Sequence, residues 1–129
     1  MSRFTQVFLG LCGLAFVLIG FNTFVDPLRA MAPLELNVNT VSALNELRAT
    51  YGGMQIGIGL FLFAGVASAA LTRPVLLAQA LMVGGLVIGR VVGIALDGLP
   101  SGFVQGLLAL EATIAVLSVL LYRRHQIAR

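Results

Sequence analysis

Four apolar stretches, residues 4–25, 42–71, 74–96 and 102–122, follow one another along the chain with short polar interruptions between them. Each reaches the roughly 20 residues that a helix needs to cross the hydrocarbon core of a bilayer. The pattern predicts an all-α fold, an integral membrane four-helix bundle forming a single domain, with little chain left over for a soluble one. The interruptions carry the chemistry of helix ends. Asp26-Pro27 ends the first helix, because proline disfavours helix at the residue before it and has no N–H to donate. Thr40 or Ser42 caps the second helix. Thr72-Arg73-Pro74 joins the second helix to the third, with threonine suited to a cap and proline to a first turn. So short a link makes those two helices antiparallel neighbours. The segment from Asp97 to Ser101 is a turn of the same kind, with Ser101 as the cap of the fourth helix. The first connection, residues 28–41, is the longest. It sets Arg29, Glu35, Asn37 and Asn39 among Leu34, Leu36 and Val38, a mixture suited either to a lid over the mouth of the bundle or to a plain interfacial loop.

Composition fixes the compartment and charge fixes the orientation. Of 129 residues, 59% are hydrophobic and 10% charged, and the mean hydropathy of +1.02 is too high for a soluble domain of this size. Every basic residue is arginine. Arg3, Arg73, Arg123, Arg124 and Arg129 fall at the N-terminus, in the second connection and in the tail, whereas Arg29 stands alone in the first connection and the third has none. The positive-inside rule therefore places both termini in the cytoplasm. The net charge of +3 is scattered over helix ends and not gathered on one face, which reads as a topology signal and excludes a nucleic-acid surface. The first apolar run is long for a signal peptide and reads as an uncleaved helix. Cys12, the only cysteine, has no partner for a disulfide within the chain and reads as packing.

Against this apolar background, Arg90 and Glu111 stand inside two spans. A charge at that depth costs several kcal/mol, by order of magnitude, unless it is paired or hydrated. At about 1.5 Å per residue, Arg90 lies roughly 10 Å below Asp97 and Glu111 roughly 15 Å below Ser101, so the two can meet. Arg90, Gly93 and Asp97 share a helical face, which sets Asp97 at the mouth above the arginine. The second helix opens on the densest polar stretch, Asn45-Glu46-Leu47-Arg48-Ala49-Thr50-Tyr51-Gly52-Gly53-Met54-Gln55. There Asn45, Arg48, Gly52, Gln55 and Gly59 follow three-and-four spacing, with Tyr51 at the flank. Glu46 is about 200° from Arg48 around a helix, so each is expected to find a partner on another helix. Together Asn45, Glu46, Arg48, Tyr51, Gln55, Arg90, Asp97 and Glu111 predict a polar pocket in the outer half of the bundle, or a set of structural braces at the same positions. Gly53 and Gly57, and Gly85, Gly89 and Gly93, recur every four residues and are expected to pack helices within the bundle or against a second copy.

Other chemistries find no support. His125, the only histidine, is in the tail, so neither a histidine-ligated haem nor a zinc site exists in the spans, and no metal or cofactor is expected. There is no P-loop, no GxGxxG and no serine, histidine and acid set. No catalytic residue is assigned.

The run Asn45-Glu46-Leu47-Arg48-Ala49-Thr50-Tyr51-Gly52-Gly53, followed by Gly89-Arg90, Asp97-Gly98-Leu99-Pro100 and Glu111, resembles the bacterial membrane family called domain of unknown function 4345. The likeness covers nearly the whole chain. It implies a four-helix inner-membrane protein with these polar positions as its signature, and no substrate. A looser similarity in size and layout to DoxX-like four-helix proteins is an analogy of fold alone.

Three functions compete. The first is a binding protein or small enzyme for a lipophilic molecule with an anionic or carbonyl head, held by Arg48 and Arg90, oriented by Tyr51 and Gln55, with Glu111 or Glu46 handling a proton. The second is an accessory or assembly subunit of a membrane complex, or a homo-oligomer, in which the charges fasten helices together. The third, a small transporter, is the weakest. The first helix lacks the acidic residue that small multidrug carriers rely on, and the arginine bias argues against dual insertion.

Overall fold

The computed structural model describes residues 2–36, 38 and 40–127, and every described element is a helix. Four helices are long and apolar enough to cross a membrane: Arg3–Val25, Val41–Ala67, Ala69–Asp97 and Gly102–His125. The chain divides into two compact units, residues 2–68 and residues 69–129.

In the first unit, helix α1 (Arg3–Val25) opens on Ser2, whose Oγ accepts the Thr5 N–H at 3.2 Å. It stops where proline requires. Asp26 leaves helical geometry, and its Oδ1 accepts the Arg29 N–H at 3.2 Å to cap a short α2 (Pro27–Met31) that has Pro27 at its first position. A 3-10 turn (Ala32–Leu34) follows and closes on Glu35, at φ 58°, whose N–H donates to the Ala32 carbonyl at 3.0 Å. Asn37 and Asn39 lie outside the described residues. Thr40, and not Ser42, caps α3 (Val41–Leu47), its Oγ1 accepting the Ala43 N–H at 3.2 Å.

The second span is interrupted. Between α3 and α4 (Met54–Ala67) lies a π-helical segment, Arg48–Gly53, after which the Met54 N–H reaches back five residues to the Ala49 carbonyl. Its consequence is a change of face. Leu47 and Gly52 are both buried, although five residues in an unbroken α-helix would set them about 140° apart. The wider π turn brings them to one side. The polar face expected of Asn45, Arg48, Gly52, Gln55 and Gly59 is thereby broken at its middle.

That turn delivers Gly52 to α1. A Cβ on Gly20 would lie 2.8 Å from the Gly52 carbonyl oxygen and 2.9 Å from the Ile56 nitrogen, and one on Gly59 would lie 2.7 Å from the Gly13 carbonyl oxygen. Gly13 therefore faces Gly59 and Gly20 faces Gly52. With seven residues between members on each helix, the two run antiparallel with backbone against backbone. Gly53, Gly57, Gly85, Gly89 and Gly93 take no part in this contact. A Cβ on Gly57, Gly85, Gly89 or Gly93 would meet no described atom within 4 Å, and on Gly53 only the Arg48 carbonyl oxygen of its own helix, at 3.8 Å. A four-residue glycine ridge permits close approach without compelling it. Here the spacing that is used is seven.

The second unit pairs α5 (Ala69–Asp97) with α6 (Gly102–Ile127). The break expected at Thr72-Arg73-Pro74 falls instead at Ser68, which is extended at φ −128° and ψ 118°. Pro74 lies inside α5, near enough to its start that one backbone bond, to the Ala70 carbonyl, is lost. Thr72 is buried inside that helix, at its fourth residue. At the far end, Gly98 takes φ +96° and donates its N–H to the Ile94 carbonyl at 3.1 Å, a left-handed helix stop that suits glycine. Ser101 does not cap α6 with its side chain, since its Oγ has no partner among the described residues, while its carbonyl accepts the Gln105 N–H at 3.1 Å. Val75, Leu76, Val83 and Leu121 are buried in this unit, together with Gln79 and Ser118.

Candidate functional site

The eight polar residues singled out in the sequence fall in both units, five in residues 2–68 and three in residues 69–129. In the first unit, the half-buried Arg48 leaves the π segment to donate from Nε to the Phe24 carbonyl, 3.1 Å away. Phe24 is in the last turn of α1, where carbonyls lack helical partners and no basic residue of α1 stands nearby. Arg48 thus supplies, from 24 residues on, the cation that a helix C-terminus favours. Glu46 does not look to another helix. Its carboxylate accepts the Thr50 hydroxyl at 2.7 Å, one turn along. Asn45 and Tyr51 are exposed and Gln55 is half-buried.

In the second unit, the arginine and glutamate placed by depth close on one another. Arg90 Nε donates to Glu111 Oε2 at 2.6 Å and Nη2 to Oε1 at 2.9 Å. Their side chains are 24% and 14% exposed. This fork-to-fork geometry is the strongest that the two groups can form, and both carboxylate oxygens are engaged. Beside it, at the turn end of the hairpin, lies an open groove of about 230 Å³ lined by Arg90, Gly93, Ile94, Asp97, Gly98, Pro100 and Val104. Arg90 and Asp97 are its charged members. Asp97 is exposed at the last residue of α5, with no basic residue in that last turn.

At the opposite end of the hairpin is a second clamp that the sequence did not announce. Arg73 Nη2 donates to the Tyr122 hydroxyl at 3.1 Å, and the guanidinium carbon stands 4.8 Å from the centre of the tyrosine ring. Arg73 counted only toward topology, and Tyr122 only as the end of a span. The signal lay in their common level, one turn into the third helix and one turn before the end of the fourth. Between the clamps, Gln79 is fully buried and its amide meets no partner among the described residues, while the buried Ser118 returns its hydroxyl to the Ile114 carbonyl at 2.7 Å. No group of three or more metal-ligating side chains occurs among the described residues.

The family model described as domain of unknown function (DUF4345) matches residues 4–122. The chain belongs to that family. The match takes in the Arg48–Gly53 π segment, the Arg90 and Glu111 pair and the groove residues. No curated protein and no solved structure matches the chain.

Proposed function

We propose that this DUF4345 protein is a multi-pass protein of the bacterial inner membrane, with both termini in the cytoplasm, that binds a lipophilic molecule by its polar head in the groove beside Arg90. The arginine distribution supports the orientation. Arg73 and the Arg123-Arg124 pair mark one end of the α5 and α6 hairpin, and the turn around Gly98 at the other end has no basic residue. The observation that carries the binding reading is the groove itself. It is a space of about 230 Å³ opening at the turn end of two apolar helices, with a paired arginine and a carboxylate set among Ile94, Pro100 and Val104. Sites for small molecules combine mostly apolar walls with a few placed polar groups. No reaction is assigned, because Glu111, the acid nearest the groove arginine, has both oxygens bound to Arg90.

Gly93→Leu tests the reading, since a Cβ there meets no described atom within 4 Å and the rest of the side chain would enter the groove that Gly93 lines. Protein purified in mild detergent and extracted into organic solvent should yield a defined lipophile from the wild type and none from the variant. Identical extracts from the two proteins would sink it. A second reading, an accessory subunit, draws on the open glycine positions Gly85 and Gly89 of α5. Crosslinking in native membranes that recovers only the single chain would count against it.

A further inference from the structure

The charge balance of the groove selects the sign of the head it takes. Resting on the binding reading above, we infer that the ligand is a cationic amphiphile: an apolar body with an amine or quaternary ammonium head. An anionic head would need Arg90 as its counter-charge. That arginine is already neutralised by Glu111 through two short hydrogen bonds, at 2.6 Å and 2.9 Å, and a newcomer would have to break a fork-to-fork pair to claim it. With the pair counted as neutral, Asp97 is the unbalanced charge of the lining. No ion pair joins it to any described residue.

Position sharpens the sign. Asp97 closes α5 at its C-terminus, where the last carbonyls already concentrate partial negative charge and where a cation is favoured. The chain puts a carboxylate there and no basic residue in the last turn of the helix. The connection that follows, residues 98–101, adds no positive charge. The N-terminus of α6 opens at the same mouth, with Val104 in the lining, and offsets the terminus of α5, so the Asp97 carboxylate carries the sign. Ile94, Pro100 and Val104 supply the apolar wall for the body of the molecule.

The test uses three probes that share one chain and differ in the head: dodecyltrimethylammonium, dodecanol and dodecanoate. Each is titrated against the full-length protein in a non-ionic maltoside and read by native mass spectrometry, with Gly93→Leu subtracted as the blocked groove. The ammonium probe should bind at least about tenfold more tightly than dodecanoate, and Asp97→Asn should bring that ratio close to one while dodecanol binding stays unchanged. Preference for dodecanoate overturns the cationic assignment and leaves the groove as a binding site, and an ammonium preference that survives Asp97→Asn overturns Asp97 as its source. Binding of all three probes that Gly93→Leu fails to reduce overturns the groove itself.

Discussion

Residues 2–68 bring α1 against the π segment and α4 through four glycines, with carbonyl oxygens where side chains would otherwise stand, whereas residues 69–129 join α5 to α6 through two arginines that reach across to a glutamate and a tyrosine. The first contact works by subtraction. It gains dispersion and close approach and has no adjustable part. The second works by span. A long side chain crossing between helices is satisfied only while both partners are present, and it leaves room at its side. The groove sits beside the clamp of the second unit. Charge and glycine are two answers to helix pairing in an apolar chain, and the groove lies beside the charged one.

Substitutions separate the two answers by size. The largest effect is expected in the second unit: Arg90→Leu leaves the mostly buried Glu111 carboxylate alone, and thermal unfolding in detergent should register a loss of about 3–5 kcal/mol. Next comes the glycine contact, where Gly20→Ala or Gly59→Ala drives a methyl group into backbone and should cost about 1–3 kcal/mol. The same change at Gly57 or Gly89 meets nothing within 4 Å and should be neutral or stabilising by up to about 1 kcal/mol, through helix propensity alone. If all four glycine variants lose stability equally, backbone contact is not what distinguishes Gly20 and Gly59. Arg48→Met removes the bond to the Phe24 carbonyl from a half-buried site and should cost about 1 kcal/mol, with hydrogen exchange rising first in the last turn of α1. Smallest is Tyr122→Phe, which loses the bond to Arg73 but keeps the ring, for about 0.5–1 kcal/mol in the same unfolding assay.

Some of this was legible in the sequence because it depends on arithmetic along a helix. Hydropathy locates four helices long and apolar enough to cross a membrane, and rise per residue sets Arg90 and Glu111 at levels from which they meet. Proline ends α1 on time because it acts on the residue beside it. What escaped depends on events that a uniform helix does not contain. The π segment adds a residue within one turn, so every face drawn through Arg48 with a 3.6 period is wrong beyond it. The glycines in contact between α1 and the second span are seven apart and become visible as pairs only when two helices are laid antiparallel. Pro74 misled for a different reason: near a helix start its missing N–H costs one bond, and Ser68 takes the break. The candidate site was legible in its members Arg90, Asp97 and Glu111, but not in its charge balance, because sequence shows an arginine where structure shows an arginine already spent on a carboxylate.

Closure of Arg90 on Glu111 is what makes the hairpin a clamp and leaves Asp97 as the unbalanced charge of the groove. A double-mutant cycle of Arg90→Leu and Glu111→Leu, followed by thermal unfolding of the detergent-solubilised protein, measures it directly. The double variant should recover most of what either single change loses, a coupling of about 2 kcal/mol or more. Losses that simply add would mean that the two charges are held by other partners, and would contradict both the clamp and the sign of the groove.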